Sequence, residues 1–321
     1  MNNDIKRAKE EHYKTAFCEN EKNLQRTWSI INEVTPRKQT SSLLKEVKCD
    51  DKTLTDPSQI CEVFNEYFAI MLAEDIPANV TGHSHLDSLT AQNYEHSFQF
   101  QETDTAAVIS LLSKLCKSKA TGLDRLGYLP NYFVFFNRSI NTGIFPHDWK
   151  CSKVIPLFKK GERRHLNNYR PISIISVVAK VSERIIYNQV YAFLVDNNLL
   201  TSSQSGFRGL HSTVTALRLE ATNCWAYNID NGNVNLVVFL DLKKAFDTVD
   251  HVVLISKLHA YGFRGAANNW FESSLSGRDQ QCSVNGHLST SRSLICGIPQ
   301  GTILGPLLFL VYINDLPKCL E

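Results

Sequence analysis

The chain has 321 residues, of which 43% are apolar and 21% charged, with a formal net charge of +2. This is a globular composition with room for one large or two ordinary domains, and it excludes a disordered or low-complexity chain. A total so near neutrality argues neither for nor against a polyanionic partner. Nine scattered cysteines form no C-x-x-C pair and no zinc-finger spacing with histidine, so they read as reduced intracellular thiols. The polar start Met1-Asn-Asn-Asp-Ile-Lys-Arg7 is no signal peptide, and the longest apolar stretch, Leu304 to Ile313, is too short to span a bilayer. The expected setting is therefore intracellular, in cytoplasm or nucleus, with no membrane and no evident protein partner.

Residues 1–34 carry Phe17, Leu24, Trp28 and Ile31 as a narrow stripe on one long helix, ended by Thr35-Pro36. The stretch 40–55 is polar and turn-rich. Asp56-Pro57 then gives an N-cap with proline at the first helical position. Behind it Ile60, Val63, Phe64, Tyr67, Phe68 and Met71 fall at offsets 0, 3, 4, 7, 8 and 11, a helical face. Residues 74–97 look like a linker, and a second amphipathic helix is expected at 104–118. A strand around Lys153–Phe158 runs into a basic loop. Between Lys150 and Arg170 there are seven Lys/Arg against the single acid Glu162; because the run precedes a candidate catalytic strand, a polyanion is at least as good a reading as a plain solvated loop. Arg170-Pro171-Ile172-Ser173 leads into an apolar segment and a helix to about Asn197, and another helix is expected from His211 to about Tyr227. Then follow a strand at 235–241, helices near 251–261 and 266–276, a hairpin around Asn285-Gly286, and a helix at 303–315. Mixed strands and helices indicate an α/β or α+β chain.

Two segments carry the chemistry. In Val237-Val-Phe-Leu-Asp241 a continuously apolar run, as of a buried central strand, delivers one carboxylate to its end. Read alone, the same Asp241 could equally cap the turn that follows. Asp250 precedes an apolar helix and reads as its N-cap, and Asp247 reads as structural for similar reasons. Phe246 could be core, or a rigid ring beside a nucleotide sugar. Gly297-Ile-Pro-Gln-Gly301 surrounds one long amide side chain, Gln300, with glycines that permit close backbone approach. Nucleotidyl transfer needs carboxylates to hold hard divalent cations, which makes the pairing of Asp241 with this turn more telling than either alone.

From about Lys153 to Leu316 the chain closely resembles reverse transcriptases of non-LTR (jockey/CR1-like) retrotransposons. The resemblance rests on six blocks in order: Lys153-Val-Ile-Pro-Leu-Phe-Lys-Lys160, Leu166-Asn-Asn-Tyr-Arg-Pro-Ile-Ser173, Gln204-Ser-Gly-Phe-Arg208, Phe239-Leu-Asp-Leu-Lys-Lys-Ala-Phe-Asp-Thr-Val-Asp-His251, Trp270-Phe-Glu-Ser-Ser-Leu-Ser-Gly-Arg278 and Gly297-Ile-Pro-Gln-Gly-Thr-Ile-Leu-Gly-Pro306 with the apolar run to Leu316. It implies right-hand polymerase fingers and an incomplete palm at 98–321, marked most clearly over 150–321, behind a helical extension and linker at 1–97. It implies Asp241 as the catalytic, metal-binding carboxylate. Ala245, Phe246 (the steric gate), Gln300 and Gly301 would bind nucleotide, with Lys159, Lys160 and Arg170 gripping the triphosphate. Arg163, Arg164 and Arg208 would touch nucleic acid. The implied cofactor is Mg²⁺, with Mn²⁺ as the alternative, and the implied partners are an RNA template, a DNA primer or target, and dNTPs.

Three departures accompany the resemblance. The family's aromatic-Ala-Asp-Asp hairpin would lie beyond Leu316, and the sequence stops at Glu321; the adjacent pair Asp50-Asp51 sits in a turn and is no substitute. A thumb and an N-terminal endonuclease are missing, and Leu123–Asn137 is shorter than expected, as after a deletion in the fingers. The expectation is a fragment of a decayed or incompletely recorded element: a reverse transcriptase domain inactive in this form or, alternatively, a non-catalytic remnant that at most binds RNA or DNA.

Overall fold

The computed structural model describes residues 2–20, 23–34, 44–49, 52–74, 96–114, 132–217 and 225–319. The chain divides into two compact units, Met1–Leu44 and Lys45–Glu321. In the first, the single expected helix is two, α1 (Asn2–Glu19) and α2 (Leu24–Val34), which contact each other. The break falls at Asn20 and Asn23. The Asn23 side chain accepts from the Arg26 N–H at 3.1 Å, giving the backbone the local alternative that ends one helix and starts the next.

The second unit is built on a mixed sheet. β3 (Cys151–Phe158) pairs antiparallel with β4 (Tyr169–Ile174) and parallel with β5 (Arg278–Val284). β5 also pairs antiparallel with β6 (His287–Leu288) and β7 (Arg292–Leu294). The turn between β5 and β6 is Asn285-Gly286, both at positive φ, as a tight hairpin requires. A small hairpin, β1 (Val47–Cys49) with β2 (Lys52–Leu54), lies where only turns were expected, and it docks on the basic loop through Lys48 N–H to Arg164 O at 2.8 Å. Asp50-Asp51 lies outside the described residues.

Helix α3 (Pro57–Glu74) starts where Asp56 caps the Gln59 N–H at 2.9 Å. It lays Ile60, Phe64 and Phe68 into the core and packs on β5, where the Asn65 side chain bonds Gln280 and the Thr290 carbonyl. Helix α4 (Thr105–Ser113) is shorter than expected and is capped by Asp104. Helix α5 (Tyr132–Thr142) buries Tyr132, Phe136, Ser139 and Ile140. Their offsets 0, 4, 7 and 8 mark a helical face. Leu123–Asn137, read as shortened, lies mostly outside the described residues.

The core sits between α5, α6 (Val177–Asp196), α9 (His251–Ala260), α10 (Ala266–Leu275) and α11 (Gly305–Ile313). Trp270 is fully buried and donates through Nε1 to Ser139 Oγ at 2.9 Å, which satisfies its polar edge. α11 buries five consecutive side chains, Leu307 to Val311, so it is enclosed on all sides. Each such side chain removed from water contributes about 1.5–3 kcal/mol.

Of two further expected elements, one falls partly outside the described residues and one differs. The helix expected over 211–227 is described only as the short pieces α7 (Thr213–Leu217) and α8 (Ala226–Asp230). The strand expected at 235–241 is not formed. Those residues have no ladder partner among the described residues, and Leu236, Val238 and Phe239 are 91%, 72% and 87% exposed. A strand is a paired state: without a neighbour its N–H and C=O groups turn to water, whatever the side chains prefer.

Candidate functional site

The two chemistry-bearing segments meet, and the contact is mostly backbone. The Gly297 N–H donates to Val249 O at 2.9 Å and the Ile298 N–H to Phe246 O at 2.8 Å. His251 Nε2 lies 2.7 Å from Gly297 O. Gly297 has φ +81, and a Cβ there would stand 2.5 Å from the Asp247 carbonyl oxygen. At Gly301, φ is +103 and a Cβ would stand 2.8 Å from Ser173 O. Both glycines therefore admit the protein's own backbone, not the ligand the sequence brought to mind.

Gln300 is held at both ends. Its carbonyl accepts from the Ser173 N–H on β4 at 2.7 Å, and its side-chain Nε2 donates to both carboxylate oxygens of Asp247 at 2.8 Å. Asp247 is buried, and burial raises its carboxyl to about 6, opposed by the Gln300 hydrogen bond and the charge of Lys244. The structural part expected of Asp247 is thus a tie between the two segments rather than a helix cap. No local signal reveals this, because its partner is 53 residues away.

Beside this junction opens a cavity of about 1260 Å³. It is lined by Asp241, Ala245, Phe246, Asp247 and Gln300 from one side, and by Lys159, Tyr169 and Arg170 from the strand pair β3–β4. Lys48, Lys243, Lys244, Glu66 and Tyr67 also border it, none of them expected at the site from the sequence. Among its lining side chains, five Lys/Arg face three carboxylates, which favours an anionic occupant. Asp241 is exposed and has no hydrogen-bond or ionic partner among the described residues. Phe246 stacks on Phe309 with centroids 4.6 Å apart and meets the ring of Phe207 edge-on at 5.8 Å, so its ring is fixed at the cavity wall.

The remaining basic residues lie elsewhere. Lys160 is exposed and does not border the cavity. Arg163 lies over the ring of Phe158 at 4.8 Å, and Arg164 pairs with Glu46 at 2.8 Å. Arg208 donates through Nη1 to Thr201 O at 2.7 Å and Gln204 O at 3.3 Å, which folds its own loop.

Behind the Gln300 turn is a further device the sequence did not disclose. Glu183, buried on α6, accepts from the Ile303 N–H at 2.7 Å and the Leu304 N–H at 3.3 Å, at the start of α11. Negative charge at a helix N-terminus is favourable. Arg278, itself buried, donates to Ser274 O at 2.7 Å, while its Nε and Nη2 have no hydrogen-bond partner among the described residues. Burial acts against both charges, and each supports the other.

A pair of divalent cations would need several carboxylates close together. Among the described residues no three His, Cys, Asp or Glu side chains come close enough together to hold one metal ion. Both Asp247 oxygens are taken by Gln300, and Asp250 caps α9 through the Val253 N–H at 3.0 Å. Asp241 alone stands uncommitted at the cavity, so the described residues offer one ligand and do not fit a two-metal site. Among them, no helix is long and apolar enough to cross a membrane.

Residues 158–321, just over half of the chain, match the reverse transcriptase (RNA-dependent DNA polymerase) family. The chain is 29% identical over 259 residues to the probable RNA-directed DNA polymerase from transposon BS of Drosophila melanogaster, covering 74% of this chain and 28% of that protein. It is 29% identical over 235 residues to the RNA-directed DNA polymerase from mobile element jockey of the same fly, covering 70% and 25%. To the probable RNA-directed DNA polymerase from transposon X-element, also of Drosophila melanogaster, it is 31% identical over 206 residues, covering 64% and 22%. The chain spans about a quarter of the length of these curated relatives. Family match and relatives agree with the ordered blocks and their meeting point in the fold: the chain belongs to the reverse transcriptase family, with its kin among the polymerases of non-LTR retrotransposons.

Proposed function

We propose that the basic cavity receives a primed nucleic acid and an incoming nucleotide. Residues 98–321 would supply the fingers and part of the palm to an intracellular RNA-directed DNA polymerase, and residues 1–97 a helical extension. The observation that carries this reading is convergence: Asp241, Phe246, Gln300, Lys159 and Arg170, drawn from four separate sequence blocks, border one cavity. Arg170 offers a planar fork suited to phosphate oxygens, and Lys159 a point charge. The fixed ring of Phe246 would fill the space of a ribose 2′-hydroxyl and so favour dNTPs. Asp241 would contribute one oxygen ligand to the divalent metal, Mg²⁺ or Mn²⁺, on which the family generally depends.

A second reading has its own support. With Asp241 the sole uncommitted carboxylate at the cavity among the described residues, this polypeptide would bind RNA or DNA as a non-catalytic retroelement remnant. One experiment separates the two. The purified chain is given a primed RNA template, dNTPs and Mg²⁺, beside Asp241→Ala. Extension lost in the variant rules out the remnant. Binding that weakens steeply with salt, with no extension, rules out catalysis by this chain and keeps the cavity as a nucleic-acid site. Absence of binding at low salt overturns both.

A further inference from the structure

The Gln300 amide has a fixed polarity. An ionised carboxylate has no proton to give, so the amide must turn its NH₂ end toward Asp247, as the two 2.8 Å contacts record. The backbone allows little alternative, because Ser173 holds the Gln300 carbonyl and Gly301 is packed against Ser173 O. Gln300 Oε1 has no hydrogen-bond partner among the described residues, and Gln300 borders the cavity.

We propose that Asp247 is a positioning residue. It grips Gln300 by the NH₂ end and leaves Oε1 as an acceptor, so that Gln300 recognises a hydrogen-bond donor on the bound nucleic acid or nucleotide, namely a sugar hydroxyl. This rests on the reading of the cavity as a template and nucleotide site. A sugar hydroxyl is the apt donor because it recurs at every position. Donors on base edges differ from base to base, and reading them would make copying depend on sequence. Two hydroxyls qualify, the 2′-OH of an RNA template and the 3′-OH of the incoming nucleotide.

The test is a ratio of affinities, which a general loss of folding does not imitate. Fluorescence anisotropy compares a DNA primer on an RNA template with the same primer on a DNA template. A competition arm compares dNTP with its 3′-deoxy analogue. The wild-type chain should prefer the hydroxyl-bearing member of one pair several-fold, up to about tenfold, the value of one good hydrogen bond of about 1.4 kcal/mol. A preference in the first pair assigns the template hydroxyl; in the second, the nucleotide hydroxyl.

In Asp247→Asn the new amide can donate to Oε1 and let Gln300 reverse. The preference should then fall toward parity, as it should in Gln300→Met, which keeps the shape and lacks the acceptor. A folded Asp247→Asn protein that keeps the full preference overturns the positioning role. A wild-type chain that binds both duplexes equally and does not distinguish the nucleotides overturns the hydroxyl assignment while the cavity reading stands. A chain that binds no duplex fails the cavity reading itself.

Discussion

The turn Gly297–Gly301 and the segment Asn235–Leu242 both bring a candidate residue to the same cavity, yet they are held in opposite ways. The turn is tied to residues 246–249 and to β4 by backbone hydrogen bonds, packed to the limit of a missing Cβ at two glycines, and backed by Glu183. The segment has no ladder partner among the described residues and is apolar in the open, anchored near its start where Asn235 bonds Asn228 and the Trp225 carbonyl. Gln300 is therefore a fixed group and Asp241 an unsupported one. A site is only as preorganised as the element that carries each residue.

That contrast can be broken from either side. The largest effect is expected at Glu183→Ala, which strips two N–H groups of their acceptor and leaves the Arg278 guanidinium buried without its counter-charge. Leaving a buried N–H without its acceptor costs about 1–3 kcal/mol for each group. Adding Arg278→Met should recover only the part that comes from the buried guanidinium, read from urea unfolding midpoints. A single variant within 1 kcal/mol of wild type, a bound of about the ordinary surface range, would mean the turn is not held from behind.

Next comes Gly297→Ala, where a positive φ coincides with a backbone oxygen in the way. The expected loss is about 3 kcal/mol. Gly232→Ala, just before the open segment, is its control. There φ is +73 but nothing lies within 4 Å of the added Cβ, so only the backbone strain of about 1 kcal/mol remains. Equal losses at the two glycines would erase the distinction between packed turn and open segment.

The smallest effect belongs to Phe239→Ser. A buried strand residue of this size would cost about 3–5 kcal/mol on truncation, whereas an exposed one stays within about 0.5 kcal/mol. Thermal unfolding decides between them. A loss of core size would mean that Asn235–Leu242 finds a partner in solution.

Much of the local structure was legible because its causes are local. Asp56 and Asp250 cap the helices their positions announce, Asn285-Gly286 turns its hairpin, and the spacing of Ile60, Phe64 and Phe68 is the buried face of α3. The hairpin at 47–54 escaped because its strands are three residues each and it is fastened by the basic loop. The continuous apolar run before Asp241 misled for a related reason: side-chain character proposes a strand, but only a neighbour completes one.

By itself the sequence determined the family, through ordered blocks, and the helices whose caps and periods lie within a dozen residues. The fold alone decided the rest. It spent Asp247 on Gln300, Arg208 on its own loop and both motif glycines on backbone contacts, and it left Asp241 without support. A cap answers to the next turn of its helix. A hydrogen bond between residues 53 apart exists only once two distant segments have been packed together.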